Sequence, residues 1–77
     1  MYTDNMKRAF RSLNAPKNFN LSIIDNDHFL TVKADEKTFM RLTGEEKMMA
    51  VEYMIRVKKA LEDNGAIVLL VREGGSE

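Results

Sequence analysis

The stretch at residues 43–65, TGEEKMMAVEYMIRVKKALEDNG, decides the fold because it predicts one long helix. Thr43 and Glu46 have the spacing of a capping box, in which each side chain accepts a hydrogen bond from the other residue's backbone N–H. Asn64 and Gly65 tolerate the left-handed backbone that commonly ends a helix. We therefore expect the helix to begin after Thr43 and to end at Gly65.

The apolar residues of this helix fall on two separate faces at about 100° per residue. The larger face, here called the core stripe, contains Ala50, Tyr53, Met54, Val57, Ala60 and Leu61. The smaller face, here called the second stripe, contains Met48, Val51 and Ile55. A helix that covers one sheet needs one apolar face, so the second stripe requires further cover. That cover comes either from the first helix, through Met6, Phe10 and Leu13, or from another chain.

A first, amphipathic helix is predicted from about residue 4 to Leu13, with Thr3 or Asp4 as its cap. Its apolar side carries Tyr2, Met6, Ala9, Phe10 and Leu13. Pro16 ends this helix because proline cannot donate a backbone hydrogen bond and disfavours helical geometry at the residue before it.

A β-hairpin is predicted from two runs of period-two alternation, residues 18–25 and 28–34, around a turn at Asn26-Asp27. The expected register starts from Asp25 opposite His28. It pairs apolar residues on one face: Ile23 with Leu30, Leu21 with Val32, and Phe19 with Ala34. On the other face it places Ile24 beside Phe29. A slip of one residue would move every apolar side chain to the wrong face.

A short helix capped by Asp35 and a strand at residues 66–72 complete the element order α-β-β-α-α-β. A right-handed crossover between the second and third strands makes those two strands parallel. The third strand lies beside the first or beyond the second, and in either position it is an edge of the sheet. The prediction is one α+β domain over residues 1–77, with a three-stranded mixed sheet, the long helix on one face, and a flexible tail at 73–77.

Composition restricts the chemistry of the chain. Twelve basic and twelve acidic residues balance, which argues against a dedicated DNA-binding protein. The chain has no cysteine and one histidine, so disulfides are excluded and a structural zinc site is nearly so. Neither a secretory signal nor a membrane-spanning run is visible, and we expect a cytoplasmic protein that does not enter a membrane.

Catalysis has one weak candidate group, Asp25, Asp27 and His28 at the hairpin turn. Three such side chains can bind a metal or move a proton. Aspartate is also common in turns for its local hydrogen bonding, and we interpret the group as exposed turn residues. The six methionines are interpreted as core-filling and contact residues, not as a copper(I) site. We therefore expect no enzyme activity, no cofactor and no bound metal.

A basic face is predicted on the first helix, from Lys7, Arg8 and Arg11, with Lys17 continuing it. The element order also resembles that of one class of KH RNA-binding domain. In that family a Gly-x-x-Gly between the two central helices approaches the RNA backbone. The corresponding residues here, Gly44-Glu45-Glu46-Lys47, keep the first glycine only. The resemblance implies an alternative function as a nucleic-acid-binding module that uses the basic face, with Lys58 and Lys59 as further candidates.

Protein binding is the function that we predict first. The third strand is apolar on both faces from Ile67 to Val71, although it is an edge strand, and exposed apolar edges invite pairing. Together with the second stripe, it favours a small regulator or adaptor that acts as a homodimer and binds another protein. The expected contact residues are Met48, Val51, Ile55, Ile24 and Phe29.

Overall fold

A computed structural model describes residues 2–73, with side chains described for residues 2–71. The chain forms an α+β domain, which confirms the predicted class and element order. The elements are α1 (Asp4–Ser12), β1 (Leu21–Asp25), β2 (Leu30–Asp35), α2 (Glu36–Met40), α3 (Gly44–Asp63) and β3 (Val68–Glu73). Of the predicted tail, Glu73 ends β3, and residues 74–77 lie outside the described residues.

The ends of α3 confirm both predicted signals. The Glu46 N–H donates to the Thr43 hydroxyl at 3.2 Å, and the Thr43 N–H donates to a Glu46 carboxylate oxygen at 2.8 Å. At the other end Gly65 has a φ of 97°, a left-handed conformation that favours glycine. Thr3 caps α1 and Asp35 caps α2 in the same way, each by accepting a backbone N–H.

The sheet has the order β1-β2-β3, with β2 in the centre. β1 pairs antiparallel with β2, and β3 pairs parallel with β2 on its other side. The parallel crossover and the edge position of β3 are therefore confirmed. Of the two positions left open by the sequence, the third strand takes the one beyond the second strand.

The predicted register of the hairpin is wrong by two residues. Leu21 lies opposite Ala34, Ile23 opposite Val32, and Ile24 opposite Thr31. The turn is centred on Asp27-His28, because the Asn26 N–H donates to the Phe29 carbonyl at 3.0 Å and the Asn26 amide donates to the Thr31 hydroxyl at 2.9 Å. An even shift leaves every side chain on its predicted face, so the apolar residues still face the helices.

Phe19 is not part of β1, although the alternation placed it there. Asn18 has a φ of 65°, and the Phe19 N–H donates to the Pro16 carbonyl at 3.2 Å, so the chain makes a turn before the strand begins. This turn buries the Phe19 ring, which makes edge-on contacts with Phe39 and Tyr53 at centroid distances of 6.2 and 6.5 Å.

The core lies between one face of the sheet and the helices. Its buried side chains come from α1, β2, α3, β3 and two connecting segments: Met6, Phe19, Leu30, Val32, Ala34, Leu42, Ala50, Tyr53, Val57, Leu61 and Val68. Within residues 2–73, no helix combines the length and the apolar character needed to cross a bilayer.

Candidate interaction surface

The core stripe of α3 is buried against the sheet. Ala50, Val57 and Leu61 have no exposed surface, and Tyr53 is 7% exposed. Burial also raises the pKa of the Tyr53 hydroxyl, because the ionised form loses hydration. Four predicted members of this stripe are therefore fully in the core, and Met54 packs against it.

The second stripe of α3 is exposed. Met48 is 67% exposed, Ile55 is 57% exposed and Val51 is 40% exposed. Single exposed apolar residues are ordinary on protein surfaces. Three of them at i, i+3 and i+7 on one helix form a continuous strip, which is the pattern of a helix contact site.

The first helix does not cover the second stripe. α1 packs against α3, and the space between its C-terminal end and α3 is lined by Leu13, Met49, Tyr53 and Arg56. Met49 and Arg56 lie on the opposite flank of α3 from Val51, at about 100° per residue. The apolar side of α1 packs against the core instead, through Met6, Phe10 and Leu13. Of the two predicted sources of cover, the intrachain one is thus wrong.

The β3 edge, defined here as residues 67–71, adds a second exposed apolar surface. Four of its five side chains are at least two-fifths exposed: Ile67, Leu69, Leu70 and Val71. Leu70 lies beside Val32 on the face of the sheet that carries the helices, and α3 packs against β3. Leu69 and Val71 alternate with Leu70 along the strand, so they lie on the opposite face of the sheet, the face that carries Ile24.

The other predicted contact residues, Ile24 and Phe29, do not lie opposite each other. Ile24 is 39% exposed on the sheet face that bears no helix, in a row with Thr31 and Leu69. Phe29 is half-buried at the end of the hairpin turn. The corrected register separates them because it moves Thr31 into the place opposite Ile24 that the prediction gave to Phe29.

The basic residues of the N-terminal region are mostly exposed. Arg8, Arg11 and Lys17 are exposed, while the Lys7 ammonium lies over the Tyr2 ring at 5.6 Å from its centroid. Burial raises the pKa of the Tyr2 hydroxyl, and the positive charge of Arg11 acts against that rise. This face offers a few positive charges, and the nearby rings of Tyr2 and Phe10 are partly buried against the core.

The segment that corresponds to the KH loop is the first turn of α3. Gly44 is the first helical residue, and the Glu46 carboxylate is held by the Thr43 N–H. Of the two lysines considered with this alternative, Lys58 forms an ion pair with Glu62 at 2.6 Å. The helix N-terminus therefore already has a carboxylate where a phosphate would bind.

The hairpin-turn group has a structural contact. The Tyr2 N–H donates to an Asp25 carboxylate oxygen at 3.1 Å, which ties the start of α1 to the end of β1. Asp27 and His28 are exposed at the turn. Across residues 2–73, no three His, Cys, Asp or Glu side chains converge as a metal site would require.

The contact residues predicted from the sequence omit Ile67, Leu69 and Leu70, which the structure leaves exposed. The unbroken apolar run of the third strand was visible in the sequence. Strand order was needed to show that this strand stays at an open edge of the sheet. Comparisons with protein-family models, curated proteins and solved structures gave no match to this chain.

Proposed function

We propose that this protein is a non-enzymatic, cytoplasmic protein-binding regulator or adaptor that acts as a homodimer through the second stripe and the β3 edge. The observation that carries the proposal is the exposure of the second stripe on a helix whose core stripe is largely buried. The absence of cysteine from all 77 residues is in keeping with a reducing compartment.

A homodimer interface would take a sizeable share of the surface of this chain. A stable two-chain interface of standard size takes about 800 Å² from each partner. That is about one-seventh of the 5533 Å² of accessible surface on this chain. The exposed apolar side chains of the second stripe and the β3 edge are Met48, Val51, Ile55, Ile67, Leu69, Leu70 and Val71. A small domain without disulfides gains stability from such an association.

The test is the solution mass of Val51→Glu against that of the native chain. A glutamate on the second stripe would be buried without a partner in the dimer but solvated in a monomer. We expect the variant to keep its helical circular dichroism and to have half the native mass. Asn5→Glu, which adds the same charge at the exposed first turn of α1, is the control and keeps the native mass.

Unchanged mass and fold in Val51→Glu would remove the second stripe from self-association. Loss of the fold itself would show that Val51 has an intrachain role that its exposure does not indicate. Substituting Ile55→Glu, at a more exposed position, then repeats the test without that complication.

The second candidate function is nucleic-acid binding through Arg8, Arg11 and Lys17, which is favoured by the exposure of all three side chains. Phosphate contacts make such binding weaken steeply with salt. Titrating a mixed DNA and RNA pool at two salt concentrations tests this candidate. A shift that is lost in the triple variant Arg8→Ser, Arg11→Ser and Lys17→Ser would support it, and no salt-sensitive shift would eliminate it.

A further inference from the structure

β3 is an edge strand, and within residues 2–73 no other strand pairs with its open side. The Leu30 N–H donates to the Ile67 carbonyl at 2.8 Å, and β3 pairs with β2 in the register Leu30–Val68 and Val32–Leu70. In a strand, N–H and C=O groups point to alternate sides from one residue to the next. Leu69 and Val71 therefore bond to β2, whereas Val68 and Leu70 direct their N–H and C=O groups away from the sheet.

The residues of the β3 edge are self-complementary about Leu69. An antiparallel pairing of two copies centred there sets Leu69 opposite Leu69, Val68 opposite Leu70, and Ile67 opposite Val71. Every apolar residue then faces an apolar residue on the same face of the sheet. The outward groups of Val68 in one copy meet those of Leu70 in the other, so the two residues form a hydrogen-bonded pair.

We propose that two copies of this chain pair through the β3 edge, antiparallel and centred on Leu69, to form one continuous six-stranded sheet. This inference rests on the homodimer of the proposed function and specifies its contact. The two-fold axis passes through the centre of the contact. Each strand supplies backbone N–H and C=O groups that bond to the other strand, as an isologous interface requires.

The partner at this edge is a second copy of the chain, because the β3 edge is complementary to an identical strand. No charged residue or proline interrupts residues 66–71, the devices that normally protect an edge strand from pairing. A register centred on Leu70 would instead set Val68 opposite Arg72, a charged residue, and Ile67 opposite Glu73. The register centred on Leu69 is the one in which all five apolar residues are matched.

The same pairing places both copies of α3 on one face of the joined sheet, because residues opposite each other in an antiparallel pair point to the same face. Val68 and Leu70 lie on that face, whereas Leu69 and Val71 lie on the face that carries Ile24.

Single cysteines test the register, because the native chain has none and any disulfide must be intermolecular. Opposed residues of a non-hydrogen-bonded pair have Cα atoms about 4.5 Å apart, within disulfide range. Leu69→Cys is therefore expected to form a covalent dimer under mild oxidation. Leu70→Cys, whose copies are diagonal to each other at roughly 7–8 Å, links poorly. Asn5→Cys, on α1, is the control for disulfides that form by random collision between molecules.

The expected result is linkage of Leu69→Cys at least about tenfold faster than of Asn5→Cys, because pairing holds the thiols at high effective concentration. Equal rates for these two variants would overturn the pairing. Faster linkage of Leu70→Cys would overturn the register in favour of the one centred on Leu70. If the native chain is a dimer and Leu69→Cys does not link, the homodimer stands and this contact fails.

Hydrogen exchange on the native chain provides a second test, which requires no substitution. The amides of Leu69 and Val71 bond to β2 and are protected in any oligomeric state. Those of Val68 and Leu70 are protected only when the edge is paired. We expect their protection to rise with protein concentration, and concentration-independent exchange at both positions would contradict the proposal.

Discussion

The two apolar faces of α3 have similar residues but opposite surroundings. Val57 in the core stripe has no exposed surface, whereas Val51 in the second stripe is 40% exposed. The difference does not come from side-chain type, since both are valine on the same helix. It comes from what each face meets: the sheet lies under one face, and α1 takes a flank that leaves the other uncovered. Hydrophobicity therefore identifies surfaces that need cover, and the topology decides which of them the chain covers itself.

The largest expected effect on the free energy of unfolding comes from truncating a residue of the core stripe. Leu61→Ala removes a fully buried side chain and leaves a cavity, so we expect the free energy of unfolding to fall by roughly 2–5 kcal/mol. Ile55→Ala is the matched change on the second stripe. Its intrinsic cost is expected to stay within about 0.5 kcal/mol, as for surface substitutions.

Urea denaturation at one low protein concentration, where association contributes little, measures both variants. A loss in Ile55→Ala as large as that in Leu61→Ala would show that the second stripe is covered within the chain. The contrast between the two faces would then disappear.

An intermediate effect is expected at the N-terminus of α3, which carries both stripes. Thr43→Ala removes the acceptor for the Glu46 N–H and should lower the free energy of unfolding by about 1 kcal/mol. Thr43→Ser keeps the hydroxyl and is the control, expected to be close to native in thermal unfolding. Equal losses in the two variants would mean that the capping hydroxyl is not the stabilising group.

The smallest effect concerns pH and is independent of either stripe. The Thr38 hydroxyl, which donates to the Asp35 carboxylate at 2.6 Å, lowers the pKa of Asp35 below its ordinary value of 3.8, and the Lys37 N–H adds to this. A lowered folded-state pKa contributes stability above the ordinary value, and that stability is lost as the pH falls through the folded-state pKa.

Asp35→Asn should therefore flatten the stability profile below about pH 4 while leaving its shape at higher pH unchanged. Thermal unfolding of the native chain and the variant between neutral and acidic pH measures the difference. Parallel profiles for the two proteins would show that Asp35 contributes no pH dependence. Because α2 lies outside both stripes, the solution mass of this variant should match that of the native chain.

Sequence patterns predicted the helices well because their signals are local. The cap of α3 depends on Thr43 and Glu46 alone, and its end depends on Gly65. The hairpin register depends on which residues form the turn, and the alternation of apolar residues is identical after a shift of two. Nothing in the alternation distinguishes Asp27-His28 from Asn26-Asp27 as the turn centre, so the wrong register satisfied it equally well.

The candidate surface was predictable only in part for the same reason. The helical period alone separates the second stripe from the core stripe. The structure shows that its residues, Met48, Val51 and Ile55, are exposed to solvent. Which side chains of the third strand stay exposed depends on strand order and on where α1 packs. Both are long-range choices that residues 43–65 do not encode.

We propose that a second copy of the chain covers the second stripe. Sedimentation equilibrium of the native chain over a wide concentration range is the test. We expect a concentration-dependent rise from the 8.9 kDa of one chain to twice that mass, with no larger species. A mass of one chain at every concentration would contradict it.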